Sequence, residues 1–218
     1  MQKYFETIFD IFYLITVISI GIIMIKKSKE KQYTIFGILA VILGSGDAFH
    51  LVPRAYALNT VGLENLIGPL GIGKLVTSIT MTIFYVLLYY VWVYRYKKTK
   101  NSKLTKTVFF LAMARIILCV FPQNGWTSSE PSLLWGILRN IPFLILGILI
   151  IVIYYKEIKT SKDKAFSFLP LSIIISFACY IPVVLFAHKY PLVGMLMIPK
   201  TCAYVWTVVI GYKAMGTK

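Results

Sequence analysis

The chain is divided into seven apolar runs, at about 5–25, 33–53, 73–94, 107–122, 132–155, 166–187 and 192–212, and every second connection between them is short and rich in lysine. A hydrocarbon core of roughly 30 Å needs about 20 residues of helix, and backbone polar groups inside lipid have to be satisfied within the segment itself. Seven such helices take up about two-thirds of the 218 residues, which leaves no room for a separate soluble domain. The expectation is therefore an all-α membrane protein, a seven-transmembrane-helix bundle forming one domain over 1–218. Composition agrees: 58% of the residues are hydrophobic, 14% are charged, and mean hydropathy is +0.77.

A formal charge of +15 raises the question of nucleic acid, and the placement of the basic residues answers it. Lys26, Lys27, Lys29 and Lys31 lie in the first connection, and Arg95, Lys97, Lys98, Lys100, Lys103 and Lys106 in the third. Lys156, Lys159, Lys162 and Lys164 lie in the fifth, and Lys213 and Lys218 in the tail. Against these sixteen stand Glu30, Glu157 and Asp163 on the same side. This is the positive-inside pattern, which predicts an N-terminus outside, a cytoplasmic C-terminus, a multi-pass protein of the plasma membrane and contact with membrane lipids rather than nucleic acid.

The outer connections differ from one another. Residues 54–72 hold Glu64, Pro69 and enough apolar side chains to predict a lid lying on the bundle, and Phe121 to Trp126 ends the short fourth run, with Trp126 as an interfacial anchor. Prolines at 142, 170, 182 and 199 are expected to interrupt the last three spans. Cys119, Cys179 and Cys202 fall within apolar runs without metal-ligand spacing and read as packing residues. Glu6 and Asp10 before the first run, and the lack of a small-residue cleavage site after it, make that run a span rather than a signal peptide.

Ionisable residues inside spans are expensive and normally face the bundle interior. Here they gather in the outer halves: Asp10 in span one; Asp47, His50 and Arg54 in span two; Lys74 and Ser78 in span three; Arg115 in span four; Arg139 and Asn140 in span five; Lys200 and Tyr204 in span seven. Asp47, His50 and Arg54 share one helical face, as do Lys74, Ser78 and Tyr85, and Lys200, Tyr204 and Thr207. The cations outnumber the carboxylates, and an arginine fork suits carboxylate and phosphate. The leading expectation is thus an outward-opening cavity binding an anionic small molecule or lipid headgroup in a receptor-like or transport role. Arg54, Lys74, Ser78, Arg115, Arg139, Asn140, Lys200 and Tyr204 would line it, with Asp10 as charge partner and with Arg139 and Lys200 clamping one anion. A second reading is an intramembrane lipid-modifying enzyme with Asp47 and His50 as acid and base. A third is a scaffold in which Asp10 and Asp47 hold Arg115 and Arg139 in interhelical ion pairs. No metal, cofactor or oligomeric state is indicated.

The segment Ser45 to His50 resembles the second-span motif of the alkaline ceramidase and adiponectin-receptor superfamily, seven-helix zinc hydrolases, whose pair of last-span histidines has no counterpart here. Gly46-Asp47 is similar to a motif of lysoplasmalogenase-like proteins, without their second aspartate motif. Lys200 resembles the retinal-binding lysine of rhodopsins, but Pro199 precedes it and the third-helix aspartate pattern is missing. Each resemblance covers a handful of residues, and no family is assigned on them.

Overall fold

Every apolar run folds as an α-helix, and most of the helices outrun the limits set by hydropathy. The computed structural model describes residues 2–98 and 102–216. Within these lie α1 (Gln2–Lys27), α2 (Lys31–Asn59), α3 (Ile67–Arg95), α4 (Ser102–Val120), α5 (Leu133–Ser161), α6 (Leu169–Phe186) and α7 (Met197–Gly216), with no strand among the described residues. Met1, Lys100 and Lys218 lie outside the described residues. Six helical segments are long and apolar enough to cross a membrane: Lys3–Lys27, Lys31–Asn59, Leu63–Arg95, Leu133–Ser161, Leu169–Phe186 and Pro191–Gly216. The molecule is an all-helical, multi-pass membrane protein. The remaining helix, α4, has 19 residues that include Lys103, Lys106 and Arg115.

Two expectations about the connections are corrected. The lid over 54–72 does not form, because α2 runs through Pro53 to Asn59 and α3 begins at Ile67, leaving only a tight turn and a single 3-10 segment, Leu63–Leu66. Pro170 and Pro199 do not interrupt their helices. They stand in the first turns of α6 and α7, where a missing N–H is no loss. Pro142 and Pro182 are inside α5 and α6, as expected.

Helix faces sort by burial. Along α1, Asp10, Tyr13, Val17 and Met24 point into the bundle while Phe5, Ile8, Phe12 and Ile15 remain on the surface, the two stripes of a helix with lipid on one side. Lipid is as apolar as the core, so association rests on close packing and interhelical polar contacts. Gly21 of α1 and Gly37 of α2 supply the first: a Cβ on either would stand 2.8 or 2.7 Å from the carbonyl oxygen of the other. The centre is aromatic, with Tyr85 edge-on to Phe143 at 5.1 Å and Phe84 edge-on to Tyr204 at 5.8 Å.

The basic connections meet at one end of the bundle. There Arg95 forms a two-pronged contact with Asp163, Nε to Oδ2 at 2.5 Å and Nη2 to Oδ1 at 2.8 Å, while its guanidinium lies 3.9 Å over the ring of Phe166. Tyr96 donates to Asp163 at 2.9 Å, Lys98 pairs with Glu157 at 2.8 Å, and Tyr33 of α2 donates to the Ala214 carbonyl of α7 at 2.8 Å. Burial works against a charge on Asp163, but hydrogen bonds from Arg95 and Tyr96 prevail and hold its carboxyl below the ordinary carboxylate value. Burial and the neighbouring Asp163 charge push the Tyr96 phenol up. These contacts fasten α2, α3, α5, the turn before α6 and α7 at this end.

Candidate functional site

The opposite half of the bundle holds the polar side chains singled out in the sequence, in three groups that depend on which helices meet. In the first, α1 and α2 share carboxylates. Arg54 ion-pairs with Glu6, and the Tyr13 hydroxyl donates to Asp47 Oδ2 at 2.5 Å. Asp10 is buried beside Glu6, Arg54 and Asp47, within reach of their charges. Thr77 of α3 donates to the Gly46 carbonyl at 3.1 Å, next to Asp47. Arg54 is thus committed to a helix pair, a role the sequence reading did not give it.

The second group closes the end of the bundle. The buried amide of Asn124 donates to the carbonyls of Leu118, Cys119 and Phe121 at and just past the end of α4, where helical donors run out. Its Oδ1 accepts from Arg139 Nη1 at 2.6 Å. The Arg139 guanidinium also lies 4.1 Å over the ring of Trp126, whose indole N–H donates to the Cys119 carbonyl at 2.8 Å. Trp126 therefore also caps the end of α4. The loop 121–132 reaches α3 as well, since a Cβ on Gly71 would stand 1.6 Å from the Trp126 carbonyl oxygen. Only glycine fits there.

The third group is the chemically unusual one. Arg115 of α4 is 2% exposed, its guanidinium lies 3.2 Å from the centre of the Phe143 ring, and neither Nε nor Nη1 has a hydrogen-bond partner among the described residues. Lys200 of α7 is 8% exposed and sits over two rings, 5.0 Å from Tyr180 and 5.3 Å from Tyr204. The hydroxyls of Tyr85 and Ser176 turn toward Tyr204 and are buried without completing a hydrogen bond. Tyr180 of α6 is the common neighbour of the cations: it lies under Lys200, within electrostatic reach of both Arg115 and Arg139, and donates to Asn140 Oδ1 at 3.1 Å. Unpaired donors and two cations thus stand together here against a rim of aromatic faces.

Several expectations change at this point. Arg115 and Arg139 form no ion pair with Asp10 or Asp47: the ion pairs among the described residues are Arg54–Glu6, Arg95–Asp163 and Lys98–Glu157. Lys200 and Asp47 are within each other's electrostatic reach without touching, and Arg115 is the cation that acts on Lys200 from the other helices. The cations that come near one another are thus Arg115 and Lys200, with Arg139 held by the α4 cap. His50 is not oriented by Asp47, because its Nδ1 faces the Leu70 carbonyl at 3.3 Å while Asp47 takes the Tyr13 proton donor. Lys74 is exposed, and Ser78 donates back to its carbonyl at 2.8 Å. Asn140 donates to Gly136 of its own helix at 2.8 Å. Tyr13, Phe143, Ser176 and Tyr180 went unnoticed in the sequence; among 15 tyrosines, nothing local marks the two that matter.

No family model, no curated protein and no solved structure matches this chain.

Proposed function

We propose that this protein is a seven-span protein of the plasma membrane that binds an anionic group among Arg115, Lys200, Tyr180 and Tyr204, in the half of the bundle facing outside, in a receptor-like or transport role. The observation that carries the reading is Arg115, a guanidinium buried at 2% exposure with two unpaired donors and no carboxylate at ion-pair distance. A buried charge left in that state is strongly unfavourable, and a carboxylate or phosphate accepting from its fork would remove the penalty. The N-out, C-in orientation rests on the lysine bias of one end. A seventh span is supported by α4: its 19 residues reach about 28 Å, and Lys103 and Lys106 stand in its first turns at the basic end, where their stems can snorkel.

Native mass spectrometry of the protein extracted in mild detergent tests the binding role. The parent protein should retain an anionic adduct, and Arg115→Leu and Lys200→Leu should each lose it. A parent without any adduct under mild extraction, or an adduct indifferent to both substitutions, removes the reading.

A further inference from the structure

The bundle end above Arg115 is covered, and its side is not. The loop 121–132 lies across α3, α4 and α5 through the Trp126–Gly71 contact, the Asn124 cap and the Arg139 bond. Between α5 and α6, by contrast, an apolar groove opens toward the lipid, walled by Ile141, Leu144, Ile181 and Val184. Phe143, Tyr180 and Asn140 also line it, and they are the residues that carry the Arg115 guanidinium, carry the Lys200 ammonium and receive the Tyr180 hydroxyl. Phe177 lines the groove as well, 5.0 Å from the Phe143 ring, so the wall between the groove and the buried cations includes three aromatic rings and one hydrogen bond of 3.1 Å. Pro142 and Pro182 fall beside the groove in both helices, so each leaves a backbone carbonyl one turn earlier without its helical donor.

We infer that the ligand is an anionic phospholipid that enters from the bilayer between α5 and α6. Its acyl chain lies in the groove, and its phosphate passes the Tyr180–Asn140 contact to accept from the Arg115 fork and pair with Lys200. The inference rests on the anion-binding reading above and adds the source of the anion. Charge complementarity selects the occupant: every phospholipid fits an apolar groove, whereas two buried cations behind its wall favour a lipid with a net negative charge. An anion arriving from water would have to pass the capped end.

The test uses the full chain in detergent, titrated with phosphatidylglycerol or phosphatidylcholine and followed by native mass spectrometry, with glycerol phosphate as the water-soluble probe. Three proteins are compared: the parent, Arg115→Leu, and the double variant Ile141→Trp with Val184→Trp, which fills the groove from its lipid-facing side. The parent should prefer phosphatidylglycerol at least tenfold, and both variants should lose that preference. If Arg115→Leu does not fold, Arg115→Lys keeps the charge without the fork and should weaken the preference severalfold. Glycerol phosphate binding that depends on Arg115 and is untouched in the groove variant, with no preference between the two lipids, overturns lipid entry and leaves the anion site standing. Phosphatidylglycerol binding unaffected by either Arg115 substitution overturns both.

Discussion

A buried arginine is ordinarily explained by its partner, and Arg115 has none among the carboxylates. Its substitution therefore makes an uncommon prediction. Removing one member of a buried ion pair strands the other and destabilises by roughly 3–5 kcal/mol, but removing a lone buried charge strands nothing. Arg115→Leu should leave the thermal midpoint of the ligand-free protein unchanged or higher while abolishing anion retention, measured by tryptophan fluorescence and native mass spectrometry on one preparation. A drop of several degrees without ligand would show that Arg115 has a structural partner. Asp163 at the other end predicts the opposite behaviour. Its folded carboxyl titrates below the ordinary value of about 3.9, so its stabilisation is complete above that value and is lost as pH falls through the depressed folded one. Asp163→Asn should thus lower stability by roughly 3 kcal/mol at pH 7 and at pH 5, with the gap to the parent narrowing only below about pH 4. A gap that closes already between pH 7 and pH 5 would contradict the bidentate lock with Arg95.

At the scale of the helix, hydropathy located each element and misjudged its ends. The second apolar run ends near Pro53, yet α2 continues to Asn59, where Arg54 and Asn59 bond to Glu6 and Thr7 of α1 and His50 faces the Leu70 carbonyl of α3. The contact between α1 and α2 depends on Gly21 and Gly37 facing one another, which small residues at any two positions would suggest but only the crossing point reveals. Gly37→Val should lower the thermal midpoint by the equivalent of about 1–3 kcal/mol, because an overpacked contact against backbone has nowhere to relax. Gly194→Ala is the control: a Cβ at Gly194 meets nothing within 4 Å, so it should be silent in the same melt. Equal midpoints for the two variants would mean that the helices do not cross at these glycines.

The whole molecule has one end tied by salt bridges and one end capped by a loop, with the unpaired cations between them and nearer the loop. The N-out, C-in orientation proposed above rests on the sixteen basic residues of the alternate connections. Reporter fusions at Met1 and Lys218 should report opposite compartments, and fusions after Asn101 and after Gly125 should differ as well if α4 crosses. Both ends on one side would reduce the spans to an even number, and agreement across α4 would identify the helix that fails to cross. If the protein transports its anion, the Arg95–Asp163 lock has to open, so Asp163→Asn should raise leakage of anion from proteoliposomes; a receptor would show no change.

What the sequence determined by itself is the class of structure. The length and apolarity of the runs leave helices crossing a bilayer as the stable outcome. Periodicity also brought Lys200, Tyr204 and Thr207 onto one face, and all three are buried. Partners were beyond its reach. Whether Arg115 or Arg139 stands beside Lys200 depends on how α4, α5 and α7 are rotated against one another, and a helix sequence fixes only which residues share a stripe. Tertiary packing put Arg139 on the Asn124 cap, gave Asp47 to Tyr13 rather than to His50, and set Tyr180 beside three cations. The physical reason is that a side chain's charge is written in the sequence, while the groups that satisfy it or leave it unpaired come from other helices far along the chain.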